Sequence, residues 1–180
     1  MKKDKKSTFE AIYKNESDAI FRFCLLRVSN RDQALDLVQE TFLRLWQSLQ
    51  KDEDILNSKA FLFTITRHLI IDYYRKKKSI PFKDMASTDE EEGYDPANDI
   101  TTDNLISGIE GRYLLNKINE LPQSYREPLY LRFVEDLSPP EIGEILGVSA
   151  NAASVRINRG LEELRRVSGY SKDDLNKLNI

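Results

Sequence analysis

Two stretches of this 180-residue chain repeat apolar residues at intervals of three and four, and an acidic run from Lys83 to Asn104 lies between them. That spacing sets an apolar stripe on one side of a helix, so each stretch has a face to bury. The run between, with Asp89, Glu90, Glu91, Glu92 and Asp95, offers too little apolar surface to offset the entropy of ordering, and is expected to be mostly disordered. Its carboxylates either stand in solvent or mimic a nucleic-acid backbone against a basic groove. Charge divides the same way: residues 1–82 hold 16 Lys/Arg against 11 Asp/Glu, residues 83–112 hold 2 and 9, and residues 113–180 hold 9 and 10. Such blocks suggest two folded pieces on a tether. We expect one piece over residues 1–82, the linker over 83–104, a second piece over 105–168 and a tail over 169–180.

No strand period, internal repeat or glycine-rich phosphate loop is found, and only 7 Gly and 6 Pro interrupt the chain. The expected fold class is therefore all-α: two small helical domains joined by a flexible acidic linker. One cysteine, Cys24, forms no disulfide within the chain, which excludes a stapled scaffold and suits a reducing compartment. The basic start, Met1–Lys6, is not followed by an apolar run, and no window reaches the ~18 apolar residues of a membrane span. A soluble, cytoplasmic protein without membrane insertion is expected.

In the first piece, Phe9, Ile12, Tyr13, Ile20, Phe23 and Cys24 mark a helix from Thr8 to Val28. Asn30 and Gln33 have the spacing of a capping box, and Ala34, Val38, Phe42, Leu45, Trp46 and Leu49 line one face of a second helix to Gln50. A third helix is expected from Ser58 to Lys78, with Phe61, Leu62, Ile65, Leu69 and Tyr73 inward and Pro81 ending it. In the second piece, Ile106 to Leu121 form a helix that Pro122 stops. Ser124 and Glu127 suggest a capping box for the next, running to Glu135 with Pro128 at its fourth position. Ser138 and Glu141 suggest another box, with Pro139 at the favoured first position.

From Ser138 to Arg166 a short helix, a Gly147-Val148-Ser149 turn and a longer helix follow one another. Gly143 falls where two steeply crossing helices must approach closely, and Ile142, Leu146, Val148 and Ala153 supply the wedge. This is helix-turn-helix spacing, in which the second helix enters the DNA major groove; a plain helical hairpin is the alternative. Ala150, Asn151, Ser154, Val155, Asn158 and Arg159 fall outward, with Arg156 and Arg165 or Arg166 flanking phosphates. Asn and Arg can pair with base edges, and valine methyls can touch a thymine methyl. So little positive charge predicts weak DNA binding by this piece alone.

The cations cluster instead at the end of the third helix, where Arg67, Arg75, Lys76, Lys77 and Lys78 interleave with His68, Tyr73 and Tyr74. Cations attract phosphate and aromatics stack on unpaired bases, a pairing suited to single strands; a solvated helix C-terminus is the alternative. His68 and Cys24 lack the companions of a metal or catalytic site, and no cofactor is implied.

Together these residues resemble bacterial extracytoplasmic-function (group IV) sigma factors. Asp36-Leu-Val-Gln-Glu-Thr-Phe-Leu-Arg-Leu-Trp46 is similar to the family's polymerase-binding helix, Phe61–Lys78 to its promoter-melting and minus-ten helix, and Leu121–Arg166 to its minus-thirty-five domain. The resemblance covers residues 8–80 and 105–168 in the family's order. It implies that Asp36, Gln39, Glu40 and Arg44 dock on core RNA polymerase. It further implies that the loop Ser48–Asn57 captures an unpaired minus-ten base while Arg67, His68, Arg75 and Lys76 grip the melted strand. It assigns minus-thirty-five recognition to Asn151, Ser154, Val155, Arg156, Asn158 and Arg159. The family often has Asn at His68 and Trp at Phe61, departures that leave the minus-ten sequence open, and Lys or Arg at Ser154 and Ser at Val155, so an atypical minus-thirty-five preference is expected. The implied partners are core RNA polymerase, promoter DNA and an anti-sigma factor, and no catalytic role is implied. A stand-alone helix-turn-helix regulator is the runner-up, and a nuclease binding metal through Asp52, Glu53 and Asp54 a third reading.

Overall fold

The computed structural model describes residues 4–78 and 109–171, with side chains over 4–76 and 113–171. They form two compact units. One contains α1 (Lys5–Val28), α2 (Arg31–Gln50) and α3 (Ser58–Lys78); the other contains α4 (Ile109–Asn119), α5 (Gln123–Phe133), α6 (Pro139–Leu146) and α7 (Ala150–Ser168). Among the described residues the fold is all-α. The acidic linker, Pro81 and the tail beyond Ser171 lie outside the described residues, as does the disorder expected of the linker.

Helix α1 starts at Lys5, earlier than its apolar stripe suggests, because the Asp4 side chain accepts from Lys6 N at 3.1 Å. Helix α2 starts where Asn30 Oδ1 accepts from Gln33 N at 3.0 Å. The reciprocal half of that capping box is replaced: Gln33 Oε1 accepts from the Tyr73 hydroxyl of α3. The core joins Ile20, Phe23 and Cys24 of α1 to Ala34, Val38 and Leu45 of α2 and Leu62 and Phe63 of α3. Phe23 and Phe63 meet edge to face at 5.2 Å, an arrangement favoured for aromatic pairs.

The inward face of α3 differs from expectation. Leu62 and Leu69 are buried as expected, but Phe63, Thr66 and Ile70 accompany them while Phe61, Ile65 and Tyr73 are half-buried. The segment is apolar on nearly every side, so periodicity alone leaves its rotation open. Thr66 fits the observed rotation: its hydroxyl donates to Leu62 O at 2.7 Å and lies 3.2 Å from Thr41 Oγ1, which donates to Leu37 O at 2.7 Å. Buried hydroxyls need such partners, and these two lie together between α2 and α3.

In the second unit, α5 begins at Gln123 with Pro122 as its cap residue, and the Ser124–Glu127 box is not formed. Pro122 O accepts from Tyr125 N and Arg126 N, which starts the helix early and carries Glu127 into its buried middle. Pro128 therefore sits at the sixth helical position. The helix stops at Phe133, short of Glu135, whose buried carboxylate accepts from Tyr130 Oη at 2.9 Å.

The α6–α7 pair follows the sequence closely. Glu141 Oε2 accepts from Ser138 N at 2.7 Å, Gly147 takes the left-handed conformation at φ 68°, and Ser149 Oγ caps α7 by accepting from Ala152 N at 3.1 Å. A Cβ on Gly143 would stand 2.8 Å from Val148 O and 3.2 Å from Ala150 N, so only glycine lets the turn fold back on α6. Gly160 admits Leu129 in the same way, with Cγ at 3.0 Å from the Cβ position, an approach the apolar pattern does not reveal. Ala153, Ile157, Gly160 and Leu164 are the buried stripe of α7; Leu161, expected inward, is half-buried.

Candidate functional site

Three surfaces carry the sequence-derived residues. On α2, Asp36 and Gln39 are exposed, and Glu40 Oε1 pairs with Arg44 Nε at 2.8 Å one turn away. Leu35 and Leu43 stand on this same outward side, Leu43 49% exposed. Both fall outside the Ala34–Val38–Leu45 stripe. The surface thus sets exposed apolar area beside charge, as a protein–protein contact does with its apolar core and polar rim.

On α3, His68, Arg75 and Lys76 are exposed and Arg67 is half-buried at the margin. Arg75 Nη1 lies 3.6 Å from Asp72 Oδ1, and its side chain stays largely open to solvent. Phe61, His68 and Arg75 recur every seven residues, so they share the outward face, and half-buried Phe61 joins the cations there. The tyrosines are half-buried, and their hydroxyls have partners inside the unit. Tyr73 donates to Gln33 Oε1 and Tyr74 donates to Arg27 O, so both hydroxyls tie the end of α3 to the junction of α1 and α2. Lys77 and Lys78 have no described side chains.

The loop between α2 and α3 is held at both ends. Lys5 Nζ lies 2.8 Å from Asp52 Oδ1 and donates to Gln50 O at 2.9 Å, while Asn57 Oδ1 accepts from Ala60 N at 2.9 Å to cap α3. Asp52 has φ 57°, an uncommon conformation for a residue with a Cβ. Between these anchors Leu56 is 92% exposed. The metal reading of Asp52, Glu53 and Asp54 gains no geometry: among the described residues no group of three His, Cys, Asp or Glu could hold an ion.

On α7, Ala150, Asn151, Val155, Asn158 and Arg159 are exposed as expected. Ser154 is half-buried and its hydroxyl donates to Ala150 O at 3.0 Å, which withdraws it from the front of the helix. Arg156 is half-buried on one flank. Arg165 Nε donates to Leu161 O at 3.2 Å and Arg166 Nη2 pairs with Glu163 Oε2 at 2.8 Å, so both far cations engage their own helix. The front is therefore amide, methyl and one guanidinium, a set able to read base edges with little phosphate attraction. Cys24 is no nucleophile: burial pushes its thiol up to about 12.

A model of sigma-70 region 2 matches residues 12–80, and a model of sigma-70 region 4 matches residues 111–164. The chain is 30% identical over 171 residues to the ECF RNA polymerase sigma factor SigW of Bacillus subtilis, covering 92% of this chain and 91% of that one. It is 32% identical over 159 residues to the RNA polymerase sigma factor SigV of the same organism, covering 86% of each. Among solved structures, the sigma factor RpoE of Bartonella quintana, in complex with the anti-sigma factor NepR, is similar with a TM-score of 0.65 and 21% identity, over 92% of this chain and 99% of that one. This last likeness is one of fold. No helix among the described residues is long and apolar enough to cross a membrane.

Proposed function

Because the chain belongs to the extracytoplasmic-function family of RNA polymerase sigma factors, we propose a division of labour between its two units. Residues 1–82 dock on core polymerase through Asp36, Gln39, Glu40 and Arg44, with Leu35 and Leu43 adding apolar contact. Arg67, His68, Arg75 and Lys76 of the same unit hold the melted minus-ten strand. Residues 105–168 set α7 in the major groove of the minus-thirty-five element, where Asn151, Val155, Asn158 and Arg159 face the bases, Arg156 a phosphate, and Ser154 supports from the side. Residues 83–104 join the two, and residues 169–180 form a tail.

The observation that carries this reading is the near-neutral front of α7 on a complete helix-turn-helix. Such a helix can discriminate bases but gains little from counterion release, so it needs an anchor elsewhere. Attachment to a polymerase-bound unit supplies one by raising its effective concentration at the promoter. A stand-alone regulator would carry its own cationic surface and dimerise, and a sigma region 2 would serve no purpose in it. No reaction is assigned to the chain: sigma factors are non-enzymatic initiation factors, and the chemistry is the polymerase's. It works where the polymerase works, in the cytoplasm. The complex of the Bartonella relative with NepR supports an anti-sigma partner for this chain as well.

The test is run-off transcription by core polymerase on a genomic library, with and without the chain, start sites being read by sequencing. A set of starts sharing two upstream elements, present only with the chain, is the expected result; identical starts in both reactions would contradict the proposal.

A further inference from the structure

The stripe that α7 buries consists of Ala153, Ile157, Gly160 and Leu164. Successive residues step about 100° round a helix, which puts Val155 about 170° from the centre of that stripe. It is the apex of the outward face, 39% exposed, with Asn151 one turn before it and Asn158 and Arg159 one turn after. Its neighbour Ser154 has turned its hydroxyl back to Ala150 O. Nothing about folding asks for valine there. A β-branched residue is a poorer helix former than Ala, Glu or Lys, and from this position it adds nothing to the core. An apolar side chain at the front of an otherwise polar reading face points to an apolar feature in what is read.

On the major-groove edge of DNA one base carries such a feature: thymine, with its C5 methyl. Resting on the assignment of α7 to the minus-thirty-five element, we propose that Val155 seats against the C5 methyl of a thymine in that element. This base pair is then selected by methyl contact, while Asn151, Asn158 and Arg159 read or frame its neighbours through hydrogen bonds. The expected preference differs in kind from one set by a cation or hydroxyl at this place. Cytosine offers an amino donor and no methyl, and valine cannot accept from it.

The experiment uses holoenzyme assembled from the full chain and core polymerase, on a promoter selected from a library randomised across the upstream element. Each thymine of that element, on either strand, is replaced in turn by deoxyuridine, which removes the methyl and keeps every hydrogen-bonding group. Affinity is read by competition gel shift for the wild type, Val155→Ala and Val155→Thr. The wild type should lose about three- to fivefold at one thymine, the scale of one buried methyl. Val155→Ala should bind the thymine and uracil promoters equally, and Val155→Thr should retain part of the difference. Helical content by circular dichroism confirms that each variant is folded. A flat deoxyuridine scan, or an undiminished thymine preference in Val155→Ala, overturns the methyl contact while α7 keeps its role. If scrambling the whole upstream element leaves wild-type affinity unchanged, the assignment of α7 to that element falls, and the valine contact with it.

Discussion

Helix α3 brings Arg75 and Lys76 to the surface of a piece whose 16 basic residues face 11 acidic ones, whereas α7 presents Asn151, Val155, Asn158 and Arg159 from a stretch with 9 basic and 10 acidic. The two units are also built differently. The first packs helices of 24, 20 and 21 residues along apolar faces. The second sets helices of 11, 11, 8 and 19 residues by caps, a left-handed glycine and two places where backbone or leucine presses on a missing Cβ. Long packed helices give broad surfaces suited to adhesion, and short capped ones fix a single helix to a narrow tolerance. Under the proposed function adhesion and reading are thereby separated on one chain, and damage to either is expected to spare the other.

The harshest break is Gly143→Val. With backbone at 2.8 Å from the new Cβ, the turn must move, at a cost of about 1–3 kcal/mol or more. Hydrogen exchange on the full chain should show faster exchange over residues 109–171 and unchanged protection over α1–α3; equal loss in both units would mean that they are not independent. Next, Asn158→Ala with Arg159→Ala should cost about 1–3 kcal/mol for each base-edge interaction removed at the minus-thirty-five element, measured with holoenzyme on intact and scrambled upstream sequences. Reversing Asp36 and Glu40 to Lys should weaken capture by core polymerase about tenfold, with helicity retained, since the change also sets a cation beside Arg44. Co-purification at wild-type yield would move docking away from α2.

A smaller effect sharpens the contrast in charge. Arg75→Ala with Lys76→Ala should reduce holoenzyme affinity for the melted strand on all sequences and flatten its salt dependence by about 0.7 for each phosphate no longer neutralised. A sequence-selective loss would instead make these residues readers. Silent at neutral pH and confined to alkali is the effect of Cys24, whose folded thiol is held up to about 12 from an ordinary 9.0 by burial. The folded state keeps a proton that the unfolded state releases above about 9. The stability from this group is therefore complete below that pH and lost as pH rises toward 12, at up to about 1.4 kcal/mol per unit. Ellman's reagent at pH 8 should react with native protein no faster than the first unit opens.

Where the sequence was legible, a local rule had one solution. Asn30, Ser138 and Ser149 start helices at single places, Gly147 and Gly143 mark the turn, and the α7 stripe leaves one outward face. Elsewhere several solutions satisfied the same rule. Apolar residues nearly encircle the 61–71 segment, and a hydroxyl partner 25 positions away accompanies the rotation adopted, which no local pattern could supply. Pro122 forestalled the Ser124 cap because its carbonyl starts the helix earlier. Tyr73 falls both on the expected inward face and among the cations, and its hydroxyl bonds Gln33, whose side chain the capping-box spacing assigns to a different bond. The outward charges of α2 are legible from the phase of its stripe, but a pattern that marks buried positions gives no sign that Leu35 and Leu43 stand exposed between them.

The separation of adhesion from reading is tested most directly by one gel-shift titration of promoter DNA, performed with the purified chain alone and again with core polymerase present. The expected result is no sequence-specific complex from the chain by itself and a specific, open complex once core enzyme is added. Tight, specific duplex binding by the isolated chain, unchanged by core polymerase, would contradict the account.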